Sequence, residues 1–64
     1  MKPGEVYRHV RTGNPYVVIA VGKHTETQEM LVVYRRQDMD DGSWTSPWIR
    51  PLDMFTQRFQ KVAQ

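Results

Sequence analysis

The chain is expected to form a small, mostly β domain: an SH3-like five-stranded, partly open barrel with one short helical turn near Pro51–Phe55. Three observations predict it. β-Branched and aromatic residues concentrate in short runs, above all Tyr16–Val21 and Met30–Tyr34. Turn-forming clusters such as Thr12-Gly13-Asn14-Pro15 and Asp41-Gly42 separate the runs. The chain has 64 residues, so curling is the economical way for one sheet to share a core and shed its edges. The alternative architecture is a β-meander with a C-terminal helix packed across it.

The elements follow in order. Pro3-Gly4 is a turn signal that starts the fold. Glu5–Val10 reads as strand one, with Val6, Arg8 and Val10 on one face and Tyr7 and His9 on the other. Neither face is purely apolar, which suits an edge or a semi-polar site. Thr12–Pro15 reverses the chain. Strand two, Tyr16–Val21, holds no polar residue, so it is covered on both faces or central in a curled sheet. Gly22–Glu29 is a polar hairpin turn, and Met30 to Arg35 or Arg36 is strand three. Gln37–Ser43 is acidic and turn-rich, with Asp41-Gly42 as its turning point. Trp44–Arg50 reads as strand four, an edge or bulged strand because Pro47 cannot donate to a ladder. On it Trp48 and Arg50 share a face and Ile49 points opposite. Pro51–Phe55 is one helical turn with proline at its first position. Thr56–Gln60 is read as a closing strand, and the helical alternative stays open because Phe55, Phe59 and Val62 recur at helical spacing.

Bulk composition narrows the class. Residues 1–64 are expected to form one domain. A chain of this length buries only about 60% of the surface its unfolded form exposes, so its stability is marginal. It has no cysteine, so neither a disulfide nor a thiolate metal site staples it. Two Trp, three Tyr and two Phe can supply tight packing, and a homo-oligomer would bury more surface. No leader and no apolar run near about 20 residues is seen, so a cytoplasmic protein with no membrane partner is expected. Nine Lys and Arg against seven Asp and Glu give +2, which suits an anionic ligand but supports nucleic acid only weakly.

Several segments together carry a resemblance. Gly4-x-x-Tyr7-Arg8-His9, Tyr16-x-Val18, Gly22-x-His24-Thr25-Glu26-Thr27-x-Glu29, Val32-Val33-Tyr34-Arg35 and Trp48-Ile49-Arg50-Pro51-Leu52-x-Met54-Phe55 occur in this order. Their order and spacing resemble the short bacterial and phage family known as domain of unknown function 1653, from about Gly4 to Phe59. The resemblance implies a compact β-rich domain and no particular activity. The chain departs from it between Gln37 and Pro47, where the commoner pattern has a tyrosine- and glycine-containing loop.

Three constellations offer chemistry. In His24-Thr25-Glu26-Thr27 an imidazole, two hydroxyls and a carboxylate can hold a ligand, or equally can cap the hairpin's own backbone. Tyr7-Arg8-His9 can bring His9 near that turn, and His9, His24 and Glu26 would then make a two-histidine, one-carboxylate metal set. Their spacing is not diagnostic, and no metal or other cofactor is assigned. Trp48-x-Arg50 puts an indole beside a guanidinium, a stacking surface with an anion clamp, against the plainer reading of a core Trp and an Arg paired with Asp53 or Glu26. Arg35 and Tyr34 lie on opposite faces of strand three, so only one can join that surface.

No nucleophile elbow, phosphate loop or zinc signature is present, and no catalytic residue is assigned. The expected function is a non-enzymatic binding module for a small anionic or nucleotide-like ligand. Its site would draw on His9, His24, Thr25, Glu26, Thr27, Trp48 and Arg50, with Arg8 and Arg35. A phage-type sequestering or counter-defence protein is one concrete form of it. The alternatives are an SH3- or Tudor-like adaptor for a peptide or nucleic acid, separated by whether Trp44, Trp48 and Tyr7 share an exposed groove, and a metal-assisted hydrolase on His9, His24 and Glu26.

Overall fold

The structure is a computed structural model and describes residues 1–37 and 47–62. Its elements are β1 (Val6–His9), β2 (Pro15–Lys23), β3 (Met30–Arg36), β4 (Trp48–Pro51), α1 (Leu52–Arg58) and β5 (Phe59–Lys61). All pairings are antiparallel, in the order β4-β3-β2-β1-β5. β4 and β5 are the two edges and do not pair with each other, so the SH3-like barrel is partly open. The expected start of strand four at Trp44 and the turn at Asp41-Gly42 fall among residues 38–46, outside the described residues. β4 itself starts at Trp48, directly after Pro47. Among the described residues no helix is long and apolar enough to cross a membrane.

β2 lies at the centre of the sheet, which is why it can be apolar from Tyr16 to Val21. Its inward residues are Tyr16, Val18 and Val21, a sequence of positions that strict alternation forbids. A bulge resolves this. Val18 pairs with Tyr34 and Ala20 with Val33, leaving Ile19 as an extra residue. The extra residue shifts the alternation by one, so that Val21 faces Val32 on the core side. The other side of the sheet carries Val33 and, opposite it on β4, Ile49, which is 61% exposed.

The tail differs from the expected closing strand over Thr56–Gln60. Thr56, Gln57 and Arg58 belong to α1, and the strand is Phe59–Lys61. The reason lies in the sheet order. β4 and β5 are opposite edges, so their connection must cross the open side of the barrel. Seven helical residues rise about 10 Å in doing so. β1 is only four residues long and offers β5 three partners, His9, Arg8 and Tyr7. Pro51 stands at the N-cap in an extended conformation, and Asp53 and Arg58 suit the helix dipole in the first and last turns. Phe59 ends the helix by turning extended while its N–H still bonds the Phe55 carbonyl.

The buried residues among those described are Tyr7, Val18, Val32, Tyr34, Phe55 and Phe59, with Tyr16, Val21 and Leu52 packed against them. Phe55 and Val32 are wholly buried. Each such side chain contributes roughly 1.5–3 kcal/mol. The rings meet edge to face, Tyr7 on Phe55 at 5.1 Å and Tyr34 on Phe55 at 5.1 Å between centroids.

Candidate functional site

The two histidines do the same structural work in two different loops. The sequence His9-Val10-Arg11-Thr12-Gly13-Asn14 joins β1 to β2, and His24-Thr25-Glu26-Thr27-Gln28-Glu29 joins β2 to β3. In the first, the His9 N–H donates to the Asn14 carbonyl at 2.9 Å, and Gly13 N–H donates to the His9 carbonyl at 2.7 Å. In the second, His24 N–H donates to the Glu29 carbonyl and Gln28 N–H to the His24 carbonyl, both at 2.8 Å. The His9 Nδ1 accepts the N–H groups of Arg11 and Thr12 at 3.2 and 3.3 Å. The His24 Nδ1 accepts those of Glu26 and Thr27 at 3.1 and 3.4 Å. Thr12 Oγ1 then takes the Asn14 N–H, and Thr27 Oγ1 the Glu29 N–H. The fifth residue of each loop has positive φ, +79° at Gly13 and +61° at Gln28. Imidazole thus stands where Asn or Asp commonly caps a turn. The signal was present in the sequence as a repeated His-x-x-Thr.

This assigns the polar atoms of the β2–β3 loop to the loop itself. Thr25 Oγ1 donates to the Glu26 carboxylate, and Glu26 Oε2 lies 3.4 Å from His24 Nδ1. His24, Thr25, Glu26 and Thr27 form one self-capped hairpin tip. The tip follows Lys23 at the end of β2, whereas His9 lies beside the start of β2, where Arg8 pairs with Pro15. Nine residues of strand put the two loops roughly 25 Å apart. His9 is therefore not brought together with His24 and Glu26. Among the described residues no three His, Asp, Glu or Cys side chains are grouped to hold a metal ion.

What does come together is an aromatic end. Trp48 lies 5.7 Å from Tyr16 and 6.0 Å from Tyr34, ring centre to ring centre. Tyr16 lies 5.1 Å from Phe59, and Phe59 lies 5.0 Å from the His9 ring. The row therefore runs from β4 to β1, with Trp48 half exposed at one end. The Arg50 guanidinium sits 5.9 Å over the Phe59 ring, a cation–π contact worth about 0.5–1 kcal/mol. Trp48 and Arg50 thus share the inward face of β4, as their spacing required.

Arg50 is half-buried, and no carboxylate pairs with it among the described residues. The expected alternatives, Asp53 and Glu26, are not its partners. Its neighbour is the Tyr34 hydroxyl, whose pKa burial pushes up while the Arg50 charge and hydrogen bond act in the opposite direction. Tyr7 is likewise pushed up, by burial first and then by Glu5.

The other expected residues lie elsewhere. Arg8 alternates with buried Tyr7 and is exposed, with its Nη1 bonded to the Gly13 carbonyl at 2.7 Å. Arg35 pairs across from Val17 on the face opposite Tyr34, and donates to the Arg36 carbonyl at 3.3 Å. Tyr34, not Arg35, joins the Trp48 surface. Tyr7 is buried, so it does not share an exposed groove with Trp48, and Trp44 lies outside the described residues. Sequence reasoning passed over Tyr16 and Phe59, the two rings that connect Trp48 to His9. Tyr16 was detectable as the only ring on an otherwise aliphatic strand. Phe59 was masked by the ambiguous tail.

Chemically, the aromatic end can stack a planar group on the open side of Trp48 and meet negative charge with Arg50. Neither the curated proteins nor the solved structures contain a match to the chain. A family model does match, over residues 5–64, under the description "Protein of unknown function (DUF1653)". The match spans almost the whole chain, and the protein belongs to that family.

Proposed function

We propose that this protein is a non-enzymatic binding module that takes an anionic, nucleotide-like ligand at its aromatic end. The reading rests on Arg50. A half-buried guanidinium that meets a tyrosine hydroxyl and a ring but no carboxylate among the described residues keeps donors and charge for a phosphate. Its strand neighbour Trp48 offers a half-exposed indole on the same face, so one ligand can stack its base and place its phosphate. Tyr16 backs the indole from β2. A protein that holds such a ligand without turning it over acts by sequestration.

Titration calorimetry against a panel of nucleoside mono-, di- and cyclic phosphates tests the proposal. Binding is expected for at least one member, with loss of about tenfold or more in Arg50→Gln, a charge-assisted contact of about 1.4 kcal/mol or above. Silence across the panel from a folded protein ends it.

A second reading is favoured by one observation: Arg11 and Arg58 lie exposed beyond the His9 end of the ring row, where Val10 N–H bonds the Arg58 carbonyl at 2.9 Å. Rings followed by cations suit a single nucleic-acid strand. Affinity for an oligonucleotide that falls steeply with salt would select this reading over the free nucleotide.

A further inference from the structure

The twin loops share the same histidine cap and the same closing backbone bonds, but differ in the charge beside the histidine. At His24 the Glu26 carboxylate lies 3.4 Å from Nδ1. At His9 no carboxylate makes a contact among the described residues. The groups around His9 are Arg8 on its own strand, Arg11 in its own loop, and the Phe59 ring from β5 with the Arg50 guanidinium on that ring. Arg58 at the end of α1 is tied to the same loop through its carbonyl. The charged residues of the β1–β2 loop and those named beside it are thus all cations, with Arg8 held on the Gly13 carbonyl.

We propose that protonation of His9 releases the β1–β2 loop, whereas the β2–β3 loop stays closed because the Glu26 carboxylate accepts a hydrogen bond from protonated His24. In the neutral ring Nδ1 is an acceptor, and it holds two backbone N–H groups in each loop. A proton on Nδ1 turns the acceptor into a donor that faces two other donors. Imidazoles gain this proton over about pH 5–7. At His24 the new N–H meets the Glu26 carboxylate, so the loop exchanges two weak bonds for an ion pair and keeps its backbone pairing to Glu29. At His9 the new N–H faces the Arg11 and Thr12 N–H groups and, among the described residues, finds no carboxylate to take it. The β1–β2 loop opens, and with it the seat of His9 against Phe59 at one end of the ring row. Release of this loop does not depend on whether the aromatic end binds a ligand, so the two readings can fail separately.

Amide hydrogen exchange, corrected for the intrinsic rate and read by NMR at pH 7.5 and pH 5.0, tests the proposal without any ligand. Protection at Arg11 and Thr12 is expected to fall about tenfold or more on acidification, while Glu26 and Thr27 keep theirs to within about threefold. His9→Asn supplies an acceptor oxygen that does not titrate in this range, and is expected to abolish the change at Arg11 and Thr12. Glu26→Gln is expected to make the β2–β3 loop acid-labile as well. The proposal is overturned if Arg11 and Thr12 are equally protected at both pH values, if both wild-type loops open together, or if the change persists in His9→Asn. Should His9→Asn fail to fold, the wild-type comparison and Glu26→Gln still decide.

Discussion

Phe55 lies flat on Phe59, with ring centroids 4.3 Å apart and planes within 10° of parallel, although one ring belongs to α1 and the other to β5. The pair fastens the helix across the open side of the barrel. Tyr7 and Tyr34 close on Phe55 from β1 and β3, so rings from three strands meet on this helix residue.

Phe55→Ala is therefore expected to remove about 3–5 kcal/mol of stability, which for a chain of this size leaves little fold. Phe55→Leu fills part of the space and is expected to fall well short of that loss. Chemical denaturation followed by far-ultraviolet circular dichroism measures both. A Phe55→Ala protein with near-wild-type stability would show that α1 is not needed to complete the core.

Glu5, just ahead of β1, and Lys61, at the end of β5, form a 2.9 Å ion pair. The Lys61 hydrogen bond first, and the Lys2 backbone N–H second, bring the Glu5 carboxyl down from its ordinary 4.5 to about 2. Lys61 is correspondingly pushed up by Glu5. A carboxyl that is more acidic in the fold stabilises it above pH 4.5, and this contribution disappears as pH falls from 4.5 towards 2. The Lys61 contribution is complete below its ordinary 10.5 and disappears as pH rises beyond it. Thermal melts at pH 6 and pH 3 are expected to show a smaller drop in Glu5→Gln than in wild type. Both groups face solvent, so added salt is expected to weaken the effect.

Gly13 and Gln28 hold the same position in the two loops, each with positive φ. Only Gly13 is the residue type that such a conformation favours. Gly13→Ala is expected to cost about 1 kcal/mol through the backbone alone, since an added Cβ would meet nothing within 4 Å. Gln28→Gly relieves the same strain and is expected to be neutral to stabilising by up to about 1 kcal/mol. Equal and opposite signs in denaturant midpoints would bear out the equivalence of the loops. Destabilisation by Gln28→Gly would contradict it.

Thr12→Val and Thr27→Val each delete the hydroxyl that takes the last loop N–H. Each is expected to lower stability by about 0.5–1.5 kcal/mol. A much larger loss at Thr27 than at Thr12 would indicate a role for the hairpin tip beyond closing its own turn.

Trp48 is 49% exposed on a short edge strand, so Trp48→Ala is expected to leave the fold in place and to abolish stacking of any planar ligand. Trp48 fluorescence in a Trp44→Phe background reports the contact directly. Unchanged emission on binding of a nucleotide would move the site away from this ring.

The amino-acid pattern by itself determined the β class, β3 from Met30 to Arg36, the two tight reversals and the shared face of Trp48 and Arg50. Those are local properties: alternation, β-branching and turn chemistry act within a few residues. It also carried the family membership, through segments spread along the chain. Tertiary structure decided the rest. The bulge at Ile19 changed which side of β2 faces the core, and the sheet order made Thr56–Arg58 a helical crossing instead of a strand. It placed His9 beside Phe59 and sent His24 and Glu26 to the opposite end of β2. Strand register and order set such neighbourhoods, and they follow from how the whole core closes around Phe55 and Phe59. Spacing along the chain does not encode them.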